Sequence, residues 1–359
     1  MKTAIIYDWM DKWGGVERLL LTLNEEFPDA DWYTSYIDRE NASWTKYLTG
    51  NVYTSFLQKF PDFIRKSRIF SLFLLPYAFE SFNLSKYDLV ISVTSSFAKG
   101  VITRPKTKHV CILLTPTRWL WGMTGHYITS GWATPFLSKL RTWDFIAAQR
   151  PDVIVSISKH VARRCLTYYK RVSEVIYPPF DAEHWDSIRP DEDAPEKPYF
   201  LTVSRLESYK KVNLVVQAFQ TISKYDLIVV GKGSQKEALQ KIAAANTTFL
   251  QDISDAKLIS LYQHAQALIM PQEEDFGYVS LEAQYFGCPV ISYRTGGAAE
   301  MIDEGKTGCF FDTQEISSVR EAVADFKRDT YNLDDTKGIV SKFARDTFIH
   351  KLFSIIYQS

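Results

Sequence analysis

Short apolar runs alternate with amphipathic stretches along the whole chain. The runs at residues 4–8, 88–93, 109–114, 153–156, 199–203, 227–230, 267–270 and 290–293 read as strands. Stretches 16–26, 214–222 and 234–245 carry apolar residues at helical spacing and read as the connections between strands. Such alternation predicts parallel sheets with crossover helices, an α/β chain of two Rossmann-like halves. The pattern breaks at Tyr177-Pro178-Pro179-Phe180-Asp181, where two prolines precede a polar, acidic stretch ending near Lys197. The expected domains are 1–178 and 179–340. Beyond them, Phe343, Phe348, Leu352, Ile355 and Ile356 recur at helical spacing, so the segment 341–359 is expected to be helical.

A chain of 359 residues exceeds a typical single domain, which agrees with this division. Basic and acidic residues number 42 each, and zero net charge argues against a general nucleic-acid binder. The cysteines, Cys111, Cys165, Cys288 and Cys309, have no paired metal-ligand spacing and read as small buried hydrophobes in a reducing compartment. The apolar run at the start is too short for a secretion signal, and no uncharged apolar stretch of about 18 residues occurs to form a transmembrane helix. A cytoplasmic location is the expectation.

Candidate chemistry concentrates in Glu274-Asp275-Phe276-Gly277-Tyr278-Val279-Ser280-Leu281-Glu282. A loop ending in Phe276-Gly277 and running into a helix at Tyr278 and Val279 directs backbone N–H groups toward a phosphate or diphosphate. Glu282, in the first turns, is placed to accept from a ribose diol, and Glu274 to reach sugar hydroxyls on the other side. An ordinary strand–loop–helix connection with two solvated acids fits the same residues. Arg205 and Lys210 follow the strand 199–203; fixed cations there can stabilise a leaving diphosphate, although a solvated basic loop has the same composition. Gly14 and Gly15 permit close approach of backbone to a phosphate, or form a plain turn. Gly231 closes the strand 227–230 in the same ambiguous way. No G-x-G-x-x-G fingerprint follows the first strand, which counts against a dehydrogenase.

Together these segments resemble the retaining glycosyltransferases of family 4, which have the GT-B fold and two glutamates separated by seven residues. The flanking Ala267-Leu268-Ile269-Met270-Pro271, Gly287-Cys288-Pro289-Val290-Ile291 and Gly296-Gly297-Ala298-Ala299-Glu300 fit as well. The resemblance implies two Rossmann-like domains facing across a cleft, an acceptor-binding first and a nucleotide-sugar-binding second, with the helix of 341–359 crossing back to the first. It implies catalytic roles for Glu274, Arg205 and Lys210. Donor binding is implied for Gly14, Gly15, Gly231, Phe276, Gly277, Tyr278, Val279 and Glu282. Thr115-Pro116-Thr117-Arg118 resembles the segment that many relatives write His-Thr-Pro-x-Arg, which makes Thr115 and Arg118 acceptor or interdomain candidates. A salt bridge to the Asp144 region or to the linker is the structural alternative for Arg118. Leu114 stands at the usual histidine, so a deoxy sugar, another donor orientation or a substitute contact from Thr115 is expected. His109 and His126 flank this segment and read as structural.

Similarity of 152–181 to bacterial mannosyltransferases of polysaccharide assembly makes GDP-mannose the first donor expected, with UDP-hexoses and deoxysugars as rivals. The family mechanism is same-face attack by a hydroxyl of a lipid-linked or growing glycan. No metal and no cofactor are expected, with Arg205 and Lys210 in the role of a divalent ion. A catalytically degenerate module that binds nucleotide-sugar or glycan is the alternative. Residues 56–82 interleave aromatic and basic side chains, and 56–110 hold nine basic against three acidic residues. This suits either an anionic membrane surface or a helical core with a solvated rim.

Overall fold

The computed structural model describes residues 1–66, 71–122, 134–193 and 195–358, which form two units, Met1–Pro179 with Phe348–Ser359, and Phe180–Thr347. In the first unit, parallel strands run in the order β3-β2-β1-β4-β5-β6-β7. These are β1 Thr3–Tyr7, β2 Asp31–Thr34, β3 Val52–Thr54, β4 Leu89–Thr94, β5 Lys108–Leu113, β6 Val153–Ser156 and β7 Glu174–Val175. The central strands β1 and β4 are buried along their full length and pair in register from Thr3↔Leu89 to Tyr7↔Val93. Burial on both faces explains why they read as largely apolar runs.

The second unit holds β8 Tyr199–Val203, β9 Asp226–Val230, β10 Thr247–Leu250, β11 Leu268–Met270, β12 Val290–Tyr293 and β13 Gly308–Phe311, in the order β10-β9-β8-β11-β12-β13. Side chains alternate between two cores. Phe200, Leu227, Val229, Ile269 and Ile291 pack on one face, and Tyr199, Leu201, Ile228, Val230, Leu268 and Val290 on the other. Each such side chain contributes about 1.5–3 kcal/mol by leaving water.

Both sheets reverse their winding once, between β1 and β4 and between β8 and β11. Open parallel sheets take ligands outside the carboxyl ends of the strands at such a switch. The loops that matter are therefore those after β1, β4, β8 and β11.

The expected boundary after 178 falls one residue later. Residues 341–347, expected with the first domain, belong to the second unit. The Phe180 N–H donates to Phe343 O (2.8 Å), and the Phe343 ring lies 6.0 Å from that of Phe276. Only the later part of the helix Arg345–Tyr357, from Phe348, clusters with the first unit.

Candidate functional site

Residues 204–211 leave β8 and lie against the turn that ends β9. Leu206 N–H donates to Lys232 O (2.9 Å), and a Cβ on Gly231 would fall 1.9 Å from Ser204 O. Gly231 thus earns its place by admitting the backbone of the Arg205 loop, a packing role that the expected donor contact did not include. Within the loop, Lys211 adopts a left-handed conformation (φ +55°) that ends a short 3₁₀ turn over Ser208–Lys210. Lys210 is buried and forms an ion pair with Glu274. Arg205 is exposed, its guanidinium 5.9 Å from the Tyr209 ring centre.

Glu274 sits on the loop after β11, across the switch from Lys210. Gln272 Nε2 donates to the same carboxylate oxygen (2.9 Å), and the Gly297 N–H donates to Glu274 O (2.6 Å). The glycine pair is a steric requirement here: a Cβ on Gly297 would fall 2.2 Å from Asp275 O. Gly277 follows at φ +111° as the cap of the helix Tyr278–Tyr285, so no side chain caps that helix start. Any contribution of Phe276 to a ligand comes from its backbone, because its ring is buried 4.8 Å from Tyr278. Glu282, one turn on, is buried and accepts from Tyr262 OH (3.3 Å).

The sequence-predicted residues Lys210 and Glu274 are thus in direct contact, and Arg205 and Glu282 stand on the two segments that carry them. A fixed cation beside an acid, next to an uncapped helix start, is an arrangement able to hold an anionic ligand and its hydroxyls.

The first unit places Gly14 and Gly15 at the start of the helix Gly15–Glu26. Glu17, which sequence reasoning missed, is buried in that first turn. It accepts from Tyr7 OH (3.1 Å), and Glu17 Oε2 lies 3.1 Å from where a Gly14 Cβ would stand. Burial raises its carboxyl above the usual range. The protein thus places a buried carboxyl of its own in the first turn after the glycine pair. An acid three residues after Gly14 was the available signal.

Thr115 is buried and accepts from Arg164 Nη1 (2.7 Å); Arg118 begins the helix Arg118–Trp121 and is half-buried. Asp144, weighed as a partner of Arg118, is ion-paired with Lys99 (2.5 Å). It also accepts from Thr117 Oγ1 (2.8 Å), Trp121 Nε1 (2.6 Å) and Tyr169 OH (2.8 Å). This network fixes the segment that carries Thr115 and Arg118. Leu114 is buried, with its N–H on Thr94 O (2.8 Å). His109 is a core residue bonded to Ser92 Oγ (2.8 Å), and burial pushes its pKa down to about 3. His126 lies outside the described residues.

Within 56–82, Arg68 and Phe70 also lie outside the described residues. Phe79 is core, and Phe60, Phe73 and Phe82 pack against that core. Arg65 pairs with Asp62 (2.6 Å), and Lys66 with Asp38 (2.7 Å) and Asp62 (2.9 Å). Those pairs leave less uncompensated charge than the composition suggested. Among the described residues no helix is long and apolar enough to cross a membrane.

Residues 185–339, nearly all of the second unit, match the family model for glycosyl transferases group 1. That segment carries the glycosyl transferases group 1 pattern. The human alpha-1,3/1,6-mannosyltransferase ALG2 is 28% identical over 216 residues, covering 51% of this chain and 52% of that protein. A GDP-mannose-dependent alpha-(1-6)-phosphatidylinositol monomannoside mannosyltransferase of Mycobacterium tuberculosis is 28% identical over 201 residues, covering 48% and 52%. The chain matches about half the length of these two relatives. Among solved structures, sucrose-phosphate synthase from Thermosynechococcus elongatus superposes with a TM-score of 0.73 at 16% identity, covering 99% of this chain and 98% of that one. The group 1 segment thus sits in a two-sheet α/β fold of the GT-B kind.

Proposed function

We propose that this chain is a retaining glycosyltransferase that moves a hexosyl unit, mannose from GDP-mannose in the first instance, onto a hydroxyl of a lipid-linked or growing glycan. The observation that carries the reading is the Lys210–Glu274 pair at the switch between β8 and β11, beside the uncapped helix start at Gly277. As the bond from the sugar's anomeric carbon to phosphate oxygen breaks, negative charge grows on the diphosphate. Arg205 and Lys210 stabilise that charge more than they stabilise the ground state. The acceptor oxygen bonds to the anomeric carbon from the same face, and its proton passes to the departing phosphate. Glu274 holds the sugar through its hydroxyls, and Glu282 holds the ribose.

The mannosyltransferase names of the two relatives support mannose, and the GDP-mannose dependence of the second supports the base. The first test is a thermal-shift panel with GDP, UDP, dTDP and ADP on the wild type and on Glu282→Ala. GDP is expected to raise the midpoint by several degrees in the wild type, since a ligand at 100 times its Kd stabilises by about 2.7 kcal/mol. The rise should disappear in Glu282→Ala. A response to UDP alone would move the donor to a UDP-hexose. A response to none would favour the degenerate module, to which Leu114 at the usual histidine already points.

Transfer is also proposed to be independent of metal, because Arg205 and Lys210 provide fixed positive charge. Rates in excess EDTA should match untreated rates. Activity lost to EDTA and restored by a divalent ion would overturn this part of the reading.

A further inference from the structure

The first unit has its own switch crevice, between the loops that follow β1 and β4. Asp8 ties these two loops together. Its carboxylate accepts from Thr94 Oγ1 (2.9 Å) and from the N–H groups of Ser95 (2.7 Å), Phe97 (2.8 Å) and Ala98 (2.8 Å). The loop that climbs away from Asp8 is pinned residue by residue. Met10 N–H donates to Tyr36 O (3.1 Å), and Asp38 N–H to Met10 O (2.8 Å). Tyr36 OH donates to Asp11 Oδ2 (3.1 Å), and the indole N–H of the buried Trp44 donates to Lys12 O (2.9 Å).

Those contacts stop at Lys12. The next side chain, Trp13, stands 51% exposed, one residue beyond the last of those contacts. Among the described residues no ring or cation stacks on it. Gly14 and Gly15 follow and carry no side chains to cover it. An indole that stands in water at the ligand-bearing edge of a parallel sheet offers its face to a flat apolar partner. Its electron-rich face suits the C–H face of a pyranose, whose hydrogens carry partial positive charge. The Asp11 carboxylate, two residues away, is an acceptor of the kind that hydroxyl groups need.

We propose that Trp13 is the platform on which a pyranose ring of the acceptor glycan stacks, with Asp11 beside it for the ring hydroxyls. The proposal rests on the glycosyltransferase reading for the word acceptor. The pyranose site itself does not depend on it.

The experiment is saturation-transfer NMR with methyl α-mannoside and methyl β-glucoside on the wild type, Trp13→Ala and Trp13→Phe. Saturation should reach the ring C–H protons of at least one probe in the wild type. It should fall by about fivefold or more in Trp13→Ala, as expected for a lost aromatic contact, and stay near wild type in Trp13→Phe. The nucleotide-induced thermal shift, which reads the second unit, should be unchanged in both variants.

Equal transfer in Trp13→Ala and wild type would overturn the proposal, as would no transfer to either probe in the wild type. Loss of the nucleotide shift in Trp13→Ala would place the ring against the donor and overturn it too. If no nucleotide shifts the wild type while pyranose contact still depends on Trp13, the glycosyltransferase reading fails and the sugar platform stands.

Discussion

Replacing Arg205 and Lys210 together by alanine is expected to slow sugar transfer by about 10²–10³-fold or more, the effect of removing a donor aimed at developing negative charge. Lys210 is the more constrained of the two, because Glu274 holds it and both side chains are largely shielded from water. A cation fixed in this way needs no reorganisation as charge grows, whereas an exposed Arg205 over Tyr209 must be drawn in by the ligand. Lys210→Ala alone should therefore cost more of the rate than Arg205→Ala alone. Rates under saturating donor, measured beside nucleotide affinity, separate the two contributions: charge stabilised only in the transition state lowers kcat more than it weakens binding. Because Lys210→Ala also strands Glu274, the pair Lys210→Met with Glu274→Gln is the stability control. A loss in the Arg205/Lys210 double variant of less than about tenfold, under 1.4 kcal/mol, would contradict the assignment.

The second large effect concerns stability. Lys99→Met should destabilise the first unit by about 3–5 kcal/mol, because it leaves the Asp144 carboxylate buried without its counter-charge. Both side chains are almost fully buried, at 1% and 0% exposure, so water cannot replace the lost partner. The remaining donors, Thr117, Trp121 and Tyr169, are neutral and compensate only in part. Asp144→Leu combined with Lys99→Met removes both charges and should recover much of the loss. Denaturant unfolding, read separately for the two units, measures this; single variants within about 1 kcal/mol of wild type would refute a strongly coupled pair. The same variants loosen the anchor of Thr117 and Trp121, so any activity remaining should weaken on the side of Thr115 and Arg118.

How much of this was legible depended on whether the signal was local. Strands 153–156, 199–203 and 290–293 were read with the bounds the structure has, because burial on both faces leaves mainly apolar runs, each with one small buried hydroxyl residue (Ser156, Thr202 and Ser292). The part-exposed strands β3, β7 and β10 mix polar and apolar residues over two to four positions and left no such run. Strand β2 was hidden differently: it opens on Asp31, a polar residue that is buried because Tyr87 OH (2.5 Å) and Asn51 Nδ2 (3.1 Å) donate to it. The helix expected at 214–222 runs Val212–Ala218, since the left-handed Lys211 starts it early.

In the candidate site, the residues were legible as a motif but their contact was not. Lys210 and Glu274 are 64 positions apart, and only the sheet order brings their loops together. The Lys99–Asp144 network spans 45 positions and follows no period at all. Glu17 was passed over because a surface acid and a buried one look alike in a helix's first turn.

The assignment of the last helix has a consequence for synthesis. Phe348, Leu352 and Ile356 are buried, Phe353 meets the Phe27 ring at 5.6 Å, and these residues cluster with the unit that leaves the ribosome first. The whole second unit, residues 180–347, is translated before they exist. At about 5–20 residues per second, that is a wait of roughly 10–30 s, during which the nascent first unit shows water the apolar seam its last helix will cover. The unit made first is thus the one finished last, and chaperone demand should peak while its neighbour is still being made.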